Sequence, residues 1–277
     1  MEKFVPGAYQ DPTAALCQRS TPIGFMAFYE LIFSDMAWDY PKHLMPLSHG
    51  LCDTRINKLM FIIGPGSGKS QAISIAYPAW RIGLDPNMTV LGISGGEALM
   101  QGFQKAVMAV IENSKHWPRI FPGVRADKSA GWSTEGGAFV TGRRPGIPDA
   151  SYLACGIDSK YLTGKHGRTI IIDDLHNEEN SANAEQCKKV VEKYAKTIVG
   201  RADPMGARFV MAGRRWHQND IYGVLKENDW VVLELPAERD GAEILYYDIF
   251  MPDDMECVFT DGMCRMPDGT MWPVDEP

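Results

Sequence analysis

Residues 58–80 carry the feature that most restricts the fold. An apolar run, Lys58-Leu59-Met60-Phe61-Ile62-Ile63, enters the turn Gly64-Pro65-Gly66-Ser67-Gly68-Lys69-Ser70, and a helical pattern follows over Lys69–Trp80. A buried strand feeding a glycine-rich turn and then a helix needs a sheet with helices packed against it. Glycines keep side chains out of the turn, so successive backbone N–H groups can wrap phosphate oxygens. The helix N-terminus adds a partial positive charge. Lys69 suits the β- and γ-phosphates, and the Ser70 hydroxyl suits Mg²⁺. The match to G-x-x-x-x-G-K-[ST] is offset: Ile63 stands where the first glycine belongs, with Gly64 one residue later. A glycine-rich turn alone binds nothing. The strand before it and Lys69-Ser70 after it point to ATP and Mg²⁺ as cofactors, with Gly64, Pro65, Gly66, Ser67, Gly68, Lys69, Ser70 and Gln71 forming the nucleotide cradle.

The rest of the chain alternates in the same way. Short apolar runs at Thr89–Ser94, Tyr152–Gly156, Thr169–Ile172, Ala207–Ala212 and Trp230–Leu235 read as strands. Helical spacing runs through Gly96–Asn113 (Leu99, Phe103, Ala106, Val107, Val110, Ile111), through 182–198 (Ala184, Cys187, Val191, Tyr194, Ile198) and over Gln218–Glu227. Trp132–Glu135 and Ala138–Thr141 around Gly136-Gly137 suggest a hairpin. The fold class is α/β, with a mostly parallel central sheet flanked by helices on both faces. Residues 1–50 read as a leader and a helical segment that packs on the core, with Pro41 and Pro46 breaking the aromatic stretch 22–40. Residues 51–240 read as the nucleotide-binding core. Residues 241–277, rich in Asp, Met, Pro and Gly, read as a tail or linker with room for one small hairpin.

At 277 residues the chain can bury a core without disulfide or metal staples. The six cysteines show no C-x-x-C spacing, which argues against a zinc ribbon or a thioredoxin-like site and fits reduced thiols. No run approaches 18 consecutive apolar residues, so no membrane helix is expected. The net charge of −7 is not that of a dedicated nucleic-acid clamp, so any DNA contact needs a local basic patch or further subunits.

Thr169-Ile170-Ile171-Ile172 ends in Asp173-Asp174. Ligands of open α/β sheets sit outside the carboxyl ends of the strands. Two acids at such an end fit a division of labour, with Asp173 in the Mg²⁺ shell and Asp174 orienting or deprotonating water. Glu178 and Glu179 follow closely and compete for the water role. Arg214, Arg215 and His217 come after the strand Phe209-Val210-Met211-Ala212. Cations there can stabilise transferring charge. In the opposing reading Trp216 is a packing residue and the arginines pair with acids such as Asp220.

Taken together, these segments resemble the ATPase domain of the large terminase subunit, the DNA-packaging motor of tailed bacteriophages. The resemblance runs from about residue 20 to about residue 240. It rests on Leu51-Cys52-Asp53 through Ser70, on Tyr77-Pro78-Ala79-Trp80 with Gly83 and Pro86, and on Phe121-Pro122. It continues through Leu162-Thr163-Gly164-Lys165-His166-Gly167, Ile170-Ile171-Ile172-Asp173-Asp174, and Gly213-Arg214-Arg215-Trp216-His217-Gln218-Asn219-Asp220-Ile221-Tyr222-Gly223. The resemblance implies a P-loop NTPase of the additional-strand type that hydrolyses ATP to translocate double-stranded DNA into a procapsid, with Arg214 in the catalytic set. Its implied partners are double-stranded DNA, the portal protein, the small terminase subunit and further copies of the chain in a ring, expected as a pentamer when assembled, with a monomer as the alternative for the isolated chain. No membrane is implied, and the implied setting is the host cytoplasm during virion assembly. Relatives carry a C-terminal nuclease domain, and no second strand–acid constellation follows residue 240, so the chain is expected to be the motor domain alone.

The sequence departs from the family pattern in several places. Gly66 and Ser67 stand where many relatives have an arginine before Gly-Lys. Asp174 replaces a longer second acid, and Gly213 stands where a threonine is expected. Lys165 occupies the position of an arginine that acts on a neighbour's ATP, with Arg168, Arg143 and Arg144 as further candidates. Lysine lacks arginine's planar fork. Two other readings remain: a P-loop nucleotide kinase, which needs an arginine-rich lid that these dispersed arginines do not suggest, and an assembly ATPase that binds nucleotide without hydrolysing it.

Overall fold

The computed structural model describes residues 12–36 and 38–235, together with the strand backbones Val258–Thr260, Met263–Arg265 and Met271–Pro273. The apolar runs form the strands β1 (Lys58–Ile63), β2 (Val90–Ser94), β5 (Tyr152–Gly156), β6 (Thr169–Asp173), β7 (Arg208–Gly213) and β8 (Val231–Leu235). Two-residue strands β3 (Trp132–Ser133) and β4 (Gly137–Ala138) make the expected hairpin, shorter than its sequence pattern. All eight join one sheet in the order β3-β4-β5-β2-β6-β7-β1-β8. From β5 to β8 every pairing is parallel, whereas β3–β4 and β4–β5 are antiparallel. Strand β7 therefore lies between β1, which leads into the glycine turn, and β6, which ends in the two acids.

Both faces of this sheet are buried, which is why its strands are continuous apolar runs rather than alternating ones. One face carries Leu59, Phe61, Ile63, Ile171, Val210 and Ala212, and the other carries Met60, Ile62, Ile170, Ile172, Phe209 and Met211. The first face is covered by α1 (Pro12–Cys17), α2 (Pro22–Ile32), α3 (Met45–Cys52), α4 (Tyr77–Leu84), α5 (Glu97–Asn113) and α6 (Trp117–Ile120). The second is covered by α7 (Ala184–Lys193) and α8 (Ile221–Lys226). Within the stretch 22–40, α2 begins at an N-cap, Thr21, whose side chain accepts from the Gly24 N–H at 3.1 Å, with Pro22 in the first turn. Its Phe25 packs on Trp80 with ring centroids 5.3 Å apart, and Trp80 donates its indole N–H to the Cys17 carbonyl at 2.7 Å.

Several elements differ from their sequence patterns. Pro46 sits in the first turn of α3, where its missing N–H costs nothing, so it opens a helix instead of breaking one. The helix after the glycine turn reaches Leu84, and Gln71–Ala76 is wound as a π-helix before α4 begins. The 182–198 pattern divides into α7 and a π-helical turn, Tyr194–Ile198. The Gln218–Glu227 pattern starts later, at Ile221, because Asp220 caps it by accepting from the Gly223 N–H at 2.9 Å. On α5 the apolar stripe includes Leu99, yet Leu99 is 44% exposed and Gln104 is buried in its stead. The Gln104 amide is satisfied on both sides, donating to the Ser133 carbonyl and accepting from the Ala154 N–H. Of the stretch 241–277, only three short strands, β9 (Val258–Thr260), β10 (Met263–Arg265) and β11 (Met271–Pro273), are described, and they pair antiparallel. The rest of that stretch, like residues 1–11, lies outside the described residues. Among the described residues no helix is long and apolar enough to cross a membrane.

Candidate nucleotide site

The site forms at the carboxyl end of the parallel strands. As β1 ends, the chain turns through Gly66 and Gly68 with φ of 76° and 79°, backbone that L side chains rarely adopt. A Cβ on Gly66 would point into open space, so the turn leaves an uncovered cradle. The cradle is held from outside by the segment before α3. His43 donates from Nε2 to the Ser67 carbonyl at 2.7 Å, and a Cβ on Gly68 would come within 3.7 Å of Pro41.

Lys69 is almost wholly buried, and its Nζ lies 3.2 Å from Oδ2 of Asp174. Asp174 leaves β6 in the left-handed region, φ 44°, with its N–H on the Ala212 carbonyl and its own carbonyl accepting from Gly95 N–H. The end of β6 is thereby tied to the ends of β7 and β2. Asp173, one residue earlier, is fully buried. Its Oδ2 accepts from the Ser74 hydroxyl at 2.6 Å. Burial, together with the neighbouring Asp174 charge, pushes the Asp173 carboxyl up to about 6, against the pull of the Ser74 hydroxyl, Lys69 and the Ser70 hydroxyl. The two expected Mg²⁺ residues, Ser70 and Asp173, are thus neighbours in space.

A cavity of about 320 Å³ opens on this edge, lined by Pro65, Lys69, Asp174, Asn177, Arg214 and Trp216 among others. Arg214 lies over the Trp216 ring, its guanidinium carbon 3.9 Å from the ring centroid, so the indole positions the cation instead of only filling space. Arg215 turns away. Its Nε bonds the buried Asp220 carboxylate at 2.9 Å, which also accepts from the Trp216 and His217 N–H groups. Gly213 has no room for the threonine expected there, since a Cβ would lie 2.0 Å from the Tyr222 hydroxyl. Tyr222 accepts from the Leu175 N–H, and His176 accepts at Nε2 from the Ile221 N–H at 2.9 Å, which joins the acid-bearing loop to the start of α8. Burial lowers the pKa of His176, favouring the neutral ring that this acceptor role requires.

The fold therefore brings Pro65, Lys69, Asp174 and Arg214 around one cavity and sets Ser70 and Asp173 beside it. Glu178 and Glu179 are exposed, and neither lines that cavity. The four candidate trans-acting cations lie at the opposite, amino-terminal edge of the sheet. Arg144 donates its backbone N–H to Asn87 just before β2, and Arg143 reaches the Asp149 carbonyl before β5. Arg168 pairs with Asp85 at 3.1 Å, and Lys165 sits two residues before Gly167, in the turn that leads into β6. The sequence did not mark Ser74, His43 or Asn177 for the site, and its helical pattern set Leu99, which lines the cavity, on the apolar stripe of α5. Only Ser74 carried a signal, lying one helical turn beyond Ser70.

The donors suit a nucleotide with a divalent cation. Asp173 Oδ1 and Asp174 Oδ1 are buried without a hydrogen-bond partner, beside an open glycine cradle and a buried lysine. Anionic oxygens left unpaired in such a place are suited to a cation.

No protein-family model matches the chain, and no curated protein matches its sequence. Among solved structures it is similar to the yeast DEAD-box splicing factor Prp28. The identity is 14% and the TM-score 0.48, over 76% of this chain and 48% of that one, so the chain spans about half of that structure's length.

Proposed function

We propose that the chain is an ATP-hydrolysing motor domain of the terminase kind, which draws double-stranded DNA into a procapsid. The observation that carries the reading is the meeting of Lys69 and Asp174 across the gap bridged by β7, with Arg214 on the same cavity. An added strand between the strand of the glycine turn and the strand of the acids supports the additional-strand type. Acids at that position, with no arginine-rich lid among the described residues, favour water over a small acceptor. Backbone N–H groups of 64–70 and Lys69 hold the phosphates. Ser70 and Asp173 hold Mg²⁺, which when bound offsets phosphate charge. Asp174 orients the attacking water and accepts its proton, and Arg214 stabilises charge on the transferring phosphoryl group. A cation from a neighbouring copy, drawn from Lys165, Arg168, Arg143 and Arg144, completes the site in a ring docked on the portal protein. The small terminase subunit supplies DNA to this assembly in the host cytoplasm.

The test is ATP hydrolysis measured across protein concentration, with Asp174→Asn alongside. Specific activity is expected to climb with concentration and to fall in the variant by roughly 10²–10⁴, the usual worth of a general base. Flat activity that the variant still abolishes would remove the neighbour's cation from the mechanism. Activity untouched by the variant would move the water role to Glu178 or Glu179. Phosphate transfer to a nucleoside monophosphate in place of water would overturn the motor reading.

A further inference from the structure

The side chain that bonds the buried Asp173 carboxylate lies outside the glycine turn. Ser74 is wholly buried, and its hydroxyl donates to Oδ2 of Asp173 at 2.6 Å. The other carboxylate oxygen, Oδ1, is buried with no partner. Ser74 lies four residues beyond Ser70, on a turn that is not regular helix. In a regular helix the Ser74 carbonyl would accept from the N–H of residue 78, but Pro78 has none, and its ring crowds that carbonyl. The turn Gln71–Ala76 widens to a π-helix, with the Tyr77 N–H reaching back five residues to the Ala72 carbonyl. The Tyr152 hydroxyl on β5 takes the Ser74 carbonyl at 3.3 Å. Ser74 is thus clamped from both ends, its carbonyl by Tyr152 and its hydroxyl on Asp173.

We propose that Ser74 is a positioning residue for Mg²⁺: by occupying Oδ2 of Asp173, it fixes the carboxylate so that Oδ1 stays free for the metal. This rests on Asp173 being a metal-binding residue in the proposed ATPase. Ser74 touches neither nucleotide nor metal and acts through Asp173. Hydrogen bonds to a ligating carboxylate orient it, and their loss typically lowers metal affinity about 10–100-fold. A serine present only to satisfy a buried acid would affect stability and leave the metal response alone.

The experiment follows binding of a fluorescent ATP analogue while Mg²⁺ is titrated, for wild type, Ser74→Ala, Ser74→Cys and Ser74→Thr. The alanine variant is expected to need roughly 10-fold more Mg²⁺ for half-maximal effect. Its affinity for the analogue without Mg²⁺ should stay within about 2-fold of wild type, since the cradle and Lys69 are intact. Ser74→Thr keeps the hydroxyl and restores the wild-type midpoint. Ser74→Cys keeps the volume with a weak donor, so it gives the same reading if the alanine protein does not fold. A folded alanine or cysteine variant with the wild-type Mg²⁺ midpoint would overturn the role of Ser74 alone. A wild-type protein whose binding ignores Mg²⁺ would overturn the metal role of Asp173, and that of Ser74 with it.

Discussion

Asp173 shows how burial and function oppose each other within one side chain. It has no solvent exposure, it adjoins a second carboxylate, and its pKa rises from the ordinary 3.8 to about 6. The native state therefore holds this proton more tightly than the unfolded chain does. Between pH 4 and pH 6 the unfolded chain has released a proton that the native state keeps, so stability falls as pH rises through that window and stays lower above it. Asp173→Asn removes the ionisation while leaving an oxygen for the Ser74 hydroxyl. Without nucleotide or metal, the variant is expected to exceed wild type at pH 8 by on the order of 1–3 kcal/mol, from about 1.4 kcal/mol per pKa unit, with the margin shrinking toward pH 4. Urea denaturation at pH 4.5 and pH 8 measures it, and an equal margin at both would contradict the buried-charge account. The same substitution removes the Mg²⁺ response, so the stability forgone in wild type goes with the function proposed for the site.

At the scale of elements, the loop between β7 and α8 depends on Asp220. Its carboxylate, with no exposure, accepts from Arg215 Nε and from the N–H groups of Trp216, His217 and Gly223. Asp220→Ala removes a helix cap and leaves buried donors unpaired, for an expected loss of about 2–4 kcal/mol, and Asp220→Asn, which keeps an acceptor, loses less. Chemical denaturation of the two variants checks the order; equal stability would mean that the loop is held elsewhere. This loop also marks where the sequence stops being legible. The strands were readable because burial on both sheet faces demands unbroken apolar runs, as in Ile170-Ile171-Ile172. The meeting of Lys69, Ser70, Asp173 and Asp174 at one edge of the sheet was readable because each sits at a fixed offset from a strand end. The later start of α8 was not, since Asp220 works through partners that only the folded loop assembles. The π-helical turn was hidden too: helical periodicity survives one widened turn, and the cause, Pro78 against the Ser74 carbonyl, shows only when the hydrogen bonds are followed. His43 reaches the site through tertiary packing, whereas Asn177 enters it on the acid-bearing loop, three residues after Asp174, and neither carries a local pattern.

For the whole molecule, the parallel sheet has two ends with different chemistry. The cradle, Lys69, Asp174 and Arg214 lie at the carboxyl end, and Arg143, Arg144, Lys165 and Arg168 at the amino end. The second set is separated from its own chain's cavity by the length of the parallel strands, five or six residues or roughly 17–20 Å. A contact that brings one copy's amino-terminal edge to the next copy's cavity joins unlike surfaces, the arrangement that closes into rings. Within the second set, Arg168 is paired with Asp85 and Arg143 with the Asp149 carbonyl, whereas the Arg144 and Lys165 side chains have no partner among the described residues. The double variant Arg144→Ala/Lys165→Ala therefore separates supply from structure. Alone it is expected to lose most concentration-dependent ATPase activity; an arginine finger is worth about 10³–10⁵, and a lysine less. Lys69→Ala alone is inactive because its cradle lacks the phosphate-binding cation. Mixing the two lets intact cavities of the first meet intact cations of the second, so activity should exceed the sum of the separate proteins and peak near equal amounts. A mixture equal to that sum, from proteins shown to be folded, would mean that neither residue works across an interface, and the cation completing the site would have to be found in cis, with Arg214 first.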